Sequence, residues 1–322
     1  MPSETPKAHQ PLDSRQSGFP RLRGIIPPLV TPLKDRDTLN HDGLARLLEH
    51  VIAGGVSGVF ILGTTGEAPS LSYRLRRELI EETCRIVNSR IPVLVGVTDT
   101  AFVETIQLAD CAAAAGATGV VLSTPYYFPA GQTEFGRYIG EVERACPLPI
   151  MLYNIPSLTK VPLELDTLRR AAELDSIVGV KDSGGDQDYF EQVLTLKSER
   201  PDWSILIGPE HLTAWSVQKG GDGGVNGGAN IFPHLFSQLF TAADSGDQRR
   251  IDALSSVVDR LQDIYSVGKY ASRFIKATKC GVSLVDVCPD RLAEPFNHFL
   301  APQREQVAAI IADVQERLDR TL

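Results

Sequence analysis

No two cysteines in this sequence are spaced as C-x-x-C, and the five present (Cys84, Cys111, Cys146, Cys280 and Cys288) are scattered and odd in number. That argues against a disulfide framework or a cysteine zinc site and fits reduced thiols in small buried or half-buried positions. Nor do His41, His50, His211, His234 and His298 fall at metal-ligand spacing. Basic blocks are missing as well. With a formal net charge of −8 the chain offers little to a nucleic acid or an anionic membrane. No apolar run reaches the length needed to span a bilayer. Met1–Pro20 holds four prolines and no apolar h-region, so residues 1–20 are expected to be a disordered tail, not a signal peptide. A cytoplasmic protein is the expectation.

What is present is a chain of 322 residues, 43% hydrophobic, enough for one large barrel or two smaller domains. From Arg21 onward, short apolar runs alternate with longer amphipathic segments. The runs are Gly24–Leu29, Gly58–Leu62, Val93–Val97, Gly119–Leu122, Ile150–Tyr153, Ile177–Lys181, Ser204–Ile207 and Gly223–Val225. Most are continuously apolar, as strands covered on both faces are; the eighth is placed by its spacing. Asn40–Ala53, Ser72–Asn88 and Val103–Ala115 carry apolar residues at helical spacing, with Gly54 and Gly116 as stops and Ser72 and Thr133 as N-caps. Eight strand–helix units over residues 21–244 predict an α/β fold, a parallel (β/α)₈ TIM barrel. An open doubly wound sheet is the fallback, but no G-x-G-x-x-G follows the first strand. Residues 245–322 read as a C-terminal helical region, with helices at Asp247–Val267, Lys269–Cys280 and Ala301–Leu322.

In a parallel barrel the chemistry sits at the carboxyl ends of the strands. Strand 6 ends in Val180-Lys181-Asp182-Ser183, and a lysine closing an apolar run points into a partly desolvated site. Desolvation disfavours an ammonium, and the neutral amine is the nucleophile that forms an imine with a ketone. A lysine snorkelling to solvent fits the position equally well. Tyr153 closes the preceding strand, where a phenol either shuttles a proton or simply packs. Gly63-Thr64-Thr65-Gly66-Glu67 offers amides and two hydroxyls near a helix start, suited to a carboxylate or to a plain tight turn. Glu67 reads as a cap or dipole charge without chemistry of its own. Tyr126 and Tyr127 are a proton relay or interface aromatics. The glycine-rich stretch Gly220–Gly228 lets backbone approach a ligand closely, and as the loop of strand 8 it also suits a phosphate.

Gly63-Thr64-Thr65-Gly66-Glu67, Tyr153-Asn154-Ile155-Pro156 and Gly179-Val180-Lys181-Asp182 together resemble the dihydrodipicolinate synthase / N-acetylneuraminate lyase superfamily. The resemblance runs from about Leu22 to the C-terminal helices. It implies that Lys181 is the Schiff-base lysine and Tyr153 the proton-transfer tyrosine. It further implies that Thr64 relays protons and that the Thr64–Thr65 loop binds the carboxylate of pyruvate or another 2-oxo acid. Tyr127 aligns with the residue inserted into a neighbouring subunit's site, which implies a homotetramer built from tight dimers. No metal or organic cofactor is implied.

The departures from the family pattern narrow the substrate. Where the synthases carry an arginine for the carboxylate of the incoming aldehyde, this chain has Leu158, which cannot form a bidentate ion pair. Lys160 replaces a usual glycine. Where sialic acid lyases hold a sugar tail, this chain has Glu210, His211 and Gly227, beside Val225, as candidate substrate contacts, and His211 is a candidate for a substrate hydroxyl. The leading expectation is therefore a reversible aldolase that cleaves a 2-keto-3-deoxy sugar acid or similar 4-hydroxy-2-oxo acid to pyruvate and an aldehyde. Synthase-like condensation and deoxyglucarate dehydratase-type water loss use the same imine. A barrel that binds phosphosugars without an imine is the reading from a different class, and Lys181→Ala separates it, since that change should leave such binding intact.

Overall fold

The computed structural model describes residues 19–321, so the expected tail falls outside the described residues except for Phe19 and Pro20. All eight expected strands form: β1 Gly24–Ile25, β2 Val59–Ile61, β3 Val93–Gly96, β4 Gly119–Ser123, β5 Ile150–Asn154, β6 Ile177–Asp182, β7 Ser204–Ile207 and β8 Gly223–Gly224. Every pairing between neighbours is parallel, in the order β1-β8-β7-β6-β5-β4-β3-β2. The ring closes where β1 runs on beside β2: Phe60 N–H donates to the Pro27 carbonyl at 3.0 Å and Leu29 N–H to the Phe60 carbonyl at 2.8 Å. The fold is a (β/α)₈ barrel with a C-terminal helical extension.

Burial follows from the strand pattern. One face of each strand fills the barrel, where Ile26, Phe60, Leu94, Val121, Met151 and Leu206 pack together. The other face meets the helices, which contribute Leu44, Leu47, Leu75, Leu79 and Phe135, among others, to a much larger core. Both faces are therefore apolar, which is why the strands read as unbroken runs.

Local signals set the helix ends. Asn40 accepts from Gly43 N–H at 2.9 Å to open His41–Ala53, and Ser72 accepts from Leu75 N–H at 3.2 Å to open Tyr73–Val87. Such caps are worth about 1 kcal/mol each. Thr133 is not a cap. The helix Gln132–Ala145 is capped by Gly131, whose own N–H donates to the Glu134 carboxylate at 2.8 Å, and Thr133 lies inside the first turn. In the C-terminal region the helices are Gln248–Gln262, Arg273–Leu284 and Ala301–Thr321, so the second begins four residues later than the pattern predicts. The first and third are joined by Arg260 and Asp313 at 2.5 Å. No helix among the described residues is long and apolar enough to cross a membrane.

Candidate active site

The ladder between β5 and β6 sets the site. A register shift at Ile150/Met151 is followed by the pairs Leu152–Val180, Tyr153–Lys181 and Asn154–Asp182. Side chains alternate along a strand, so Tyr153 and Lys181 share the barrel face while Asn154 and Asp182 turn the other way. Lys181 is only 4% exposed. Its Nζ lies 3.9 Å from the centroid of the Tyr153 ring and 5.2 Å from that of Phe60, and those two rings meet edge to face. Among the described residues the buried ion pairs lie elsewhere, at Arg76–Asp99, Lys197–Asp222 and Lys279–Glu67, and Lys181 belongs to none of them.

Behind this pair, Asn154 Nδ2 donates to Asp182 Oδ1 at 2.6 Å while its Oδ1 accepts from Leu163 N–H at 2.9 Å. Asp182 Oδ1 also accepts from Gly184 N–H. Burial pushes the Asp182 carboxyl above its ordinary range, and these hydrogen bonds pull back only in part. The Tyr153 hydroxyl accepts from Ser183 Oγ at 3.5 Å. Ser183 has room only because its neighbour is Gly208, where a Cβ would sit 2.0 Å from Ser183 Oγ.

The Gly63–Glu67 loop leaves β2 through Leu62, a leucine at φ 57°. Its carbonyl comes so close to β3 that a Cβ at Gly96 would lie 2.1 Å from it. Within the turn, Gly66 N–H and Glu67 N–H donate to the carbonyls of Gly63 and Thr64. The amides of Thr64 and Thr65 find no acceptor among the described residues, and both residues are half-buried. The turn therefore holds two amides and two hydroxyls not spent within the described residues, a donor set that matches a carboxylate.

The other predicted residues divide. Glu210, after β7, is buried; its Oε1 accepts from Gly228 N–H at 2.6 Å and from the Tyr265 hydroxyl at 3.0 Å, and its Oε2 has no partner among the described residues. Burial pushes its carboxyl up to about 6. Gly227 is its neighbour, since a Cβ there would lie 3.4 Å from Glu210 Oε1. Val225 packs in the barrel interior with Phe60 and Tyr153. His211 is not brought to this group. It is exposed and its Nδ1 meets Gln262 Oε1 at 3.3 Å, because consecutive residues of the short turn Glu210–Leu212 point in different directions. Tyr127 is 87% exposed at φ 85° and touches Phe128, itself 81% exposed, so within one chain it stands apart from Lys181. Gly228 N–H is spent on the Glu210 carboxylate and so is not free to hold a phosphate.

Glu67, expected as a cap or dipole charge, instead pairs with Lys279. Lys160 sits at φ 65° in the left-handed region as the C-cap of Pro156–Thr159, which explains why glycine suits that position; its Nζ donates to the Ser157 carbonyl at 2.7 Å. Leu158 is 48% exposed on the same turn. Sequence reasoning missed Phe60, which looked like ordinary barrel wall, and Ser183, whose signal was its place two residues beyond Lys181 at a strand end. Among the described residues no group of three or more His, Cys, Asp or Glu side chains is placed to hold a metal ion.

Residues 21–314 match the sequence profile of the dihydrodipicolinate synthetase family. The chain belongs to the dihydrodipicolinate synthetase family. Its fold is similar, with a TM-score of 0.88 and 46% identity over 91% of this chain and 98% of the other, to a dihydrodipicolinate synthase from Bacteroides thetaiotaomicron. It is similar, with a TM-score of 0.87 and 27% identity over 91% of this chain and 98% of the other, to YagE, a prophage protein of E. coli K12 solved in complex with pyruvate. It is also 33% identical over 249 residues, 77% of this chain and 83% of the relative, to the "Probable 2-dehydro-3-deoxy-D-pentonate aldolase YjhH" of Escherichia coli K12. As a member of the dihydrodipicolinate synthetase family, the protein is a class I aldolase-type lyase.

Proposed function

We propose that this enzyme reversibly cleaves a 2-keto-3-deoxy sugar acid, or a similar 4-hydroxy-2-oxo acid, to pyruvate and an aldehyde, with Lys181 as the nucleophile. The observation that carries the reading is the placement of Lys181 Nζ against the Tyr153 ring, 3.9 Å from its centroid, inside the barrel. The amine adds to the C2 carbonyl, and loss of water from the carbinolamine leaves a protonated imine. Tyr153 takes the proton of the C4 hydroxyl, and the C3–C4 bond breaks with its electrons drawn into the imine. The aldehyde leaves, the resulting enamine is protonated at C3, and hydrolysis of the imine returns pyruvate and the free lysine. Thr64 relays protons to and from Tyr153, and the Thr64–Thr65 turn takes the substrate carboxylate. Tyr127 completes the relay from a neighbouring subunit of a homotetramer built from tight dimers. Its exposure beside an exposed Phe128 supports that role.

Two features support a polyhydroxylated aldehyde without a second carboxylate. Leu158 offers no charge at the turn after β5. Glu210 keeps a buried oxygen without a partner, an acceptor for a hydroxyl, while His211 points away. The kinship to YjhH points the same way. Pyruvate release from a panel of 2-keto-3-deoxy acids, followed with lactate dehydrogenase, tests the reading: pyruvate and aldehyde should appear in equal amounts. Loss of water without pyruvate would contradict it.

The 46% identity to the Bacteroides thetaiotaomicron synthase favours a second reading, condensation of pyruvate with a carboxylate-bearing aldehyde. Competing a carboxylate-bearing aldehyde against a polyhydroxylated one for pyruvate separates the two.

A further inference from the structure

The Gly63–Glu67 loop is held in a shape its own residues do not favour. Leu62 and Glu67, at its two ends, lie at φ 57° and 58°, a region that side-chain-bearing residues rarely occupy unless their surroundings impose it. One anchor comes from the barrel, where Thr31 Oγ1 donates to the Gly66 carbonyl at 2.7 Å. The others come from the C-terminal region. Lys279, on the helix Arg273–Leu284, pairs with Glu67, and neither side chain is exposed. Glu67 Oε1 lies directly against the ammonium. Its Oε2 accepts from Ala293 N–H at 2.8 Å, and Lys279 Nζ donates to the Arg291 carbonyl at 2.5 Å.

Burial pulls the Lys279 ammonium below its ordinary range, and the Glu67 charge pushes it back. The Glu67 charge thus helps hold the ammonium in a dry site, and removal of either partner leaves an uncompensated buried group. The pair is therefore a stiff link with one preferred geometry. It stands next to a turn whose unspent amides, at Thr64 and Thr65, must keep a fixed spacing to grip a carboxylate.

We propose that Lys279, through its buried ion pair with Glu67, is a positioning residue for the carboxylate-binding turn, so that the C-terminal helical region sets the enzyme's affinity for its 2-oxo acid. This rests on the reading of Thr64–Thr65 as the carboxylate clamp. The region reaches the site a second time through Tyr265, which donates to Glu210 after β7. The barrel supplies the nucleophile, and the extension tensions the rim on both sides of it.

The test uses the full chain, pyruvate and borohydride. The initial rate of reduced-adduct formation against pyruvate concentration is measured for wild type, Lys279→Met and Glu67→Gln, each shown to unfold cooperatively. Hydrogen exchange at the Thr64 and Thr65 amides is followed in parallel without ligand. Either variant should raise half-saturation by about tenfold, leave the maximal trapping rate unchanged and speed exchange in the turn. Glu67→Gln keeps the volume and the acceptor for Ala293 N–H, so it decides the matter if Lys279→Met does not fold. A folded Glu67→Gln protein with unchanged half-saturation overturns the proposal. So does a fall in maximal rate at constant half-saturation, which marks the pair as purely structural. If wild type itself forms no adduct, the aldolase reading fails on its own, and unchanged exchange in the variants then overturns the link between the ion pair and the turn.

Discussion

Tyr153 and Lys181 are register partners on adjacent strands, and the lysine Nζ rests 3.9 Å from the centroid of the tyrosine ring. The ring face fixes where the amine stands, and the hydroxyl of the same ring receives a hydrogen bond from Ser183. Tyr153→Phe keeps the first contact and removes only the proton-transfer group. It should lower kcat by about 10²- to 10⁴-fold while still forming the imine with pyruvate. A Tyr153→Phe enzyme with wild-type turnover would remove the tyrosine from the mechanism.

Glu210 gives the fold a pH signature. Burial pushes its carboxyl from 4.5 up to about 6, against the hydrogen bonds from Gly228 N–H and Tyr265. The folded chain therefore holds this proton more tightly than the unfolded chain. The contribution is fully present below pH 4.5 and is lost as pH rises through about 6, a change of about 2 kcal/mol. Glu210→Gln should flatten stability against pH across that window. Urea unfolding at several pH values checks it, and a wild type–variant difference that stays constant with pH would contradict the assignment.

Gly208→Ala places a methyl 2.0 Å from Ser183 Oγ and 3.0 Å from its Cβ. Ser183 must move, and with it the hydrogen bond to Tyr153. The cost should be about 1–3 kcal/mol of stability together with a lower kcat, and Ser183→Gly in the same chain should recover most of the stability. A Gly208→Ala protein of unchanged melting temperature would show that the crowding is relieved some other way.

Asp182 and Asn154 are bound to each other behind the reactive pair. Asp182→Ala leaves the Asn154 amide without its acceptor in a buried site, which should cost about 1–3 kcal/mol. Asp182→Asn keeps the acceptor and removes a charge that burial disfavours, so it should cost much less. Thermal unfolding of the two variants distinguishes them, and equal losses would mean the carboxylate charge itself is needed.

Much of this architecture was legible in the sequence because burial leaves a simple mark. The strand segments are unbroken apolar runs because both faces are covered, and Lys181 stood out as the one cation closing such a run. The eighth strand, Gly223–Gly224, has no side chains to mark it and was found by spacing. Thr133 was misread because the cap is a glycine whose partner is Glu134. His211 was misplaced because the direction of a side chain in a short turn is set by its neighbours' packing and not by its order in the chain. Glu67–Lys279 was invisible for a different reason: the two lie in segments separated by most of the barrel, and neither residue has a local motif that announces a buried pair.

The central claim concerns one amine, and its most direct measurement is mass spectrometry of the chain after incubation with pyruvate and borohydride. The account predicts a single reduced pyruvyl adduct, mapped by peptide digestion to Lys181 and absent from Lys181→Ala. No adduct on the folded wild-type protein, or an adduct on another lysine that persists in Lys181→Ala, would contradict it.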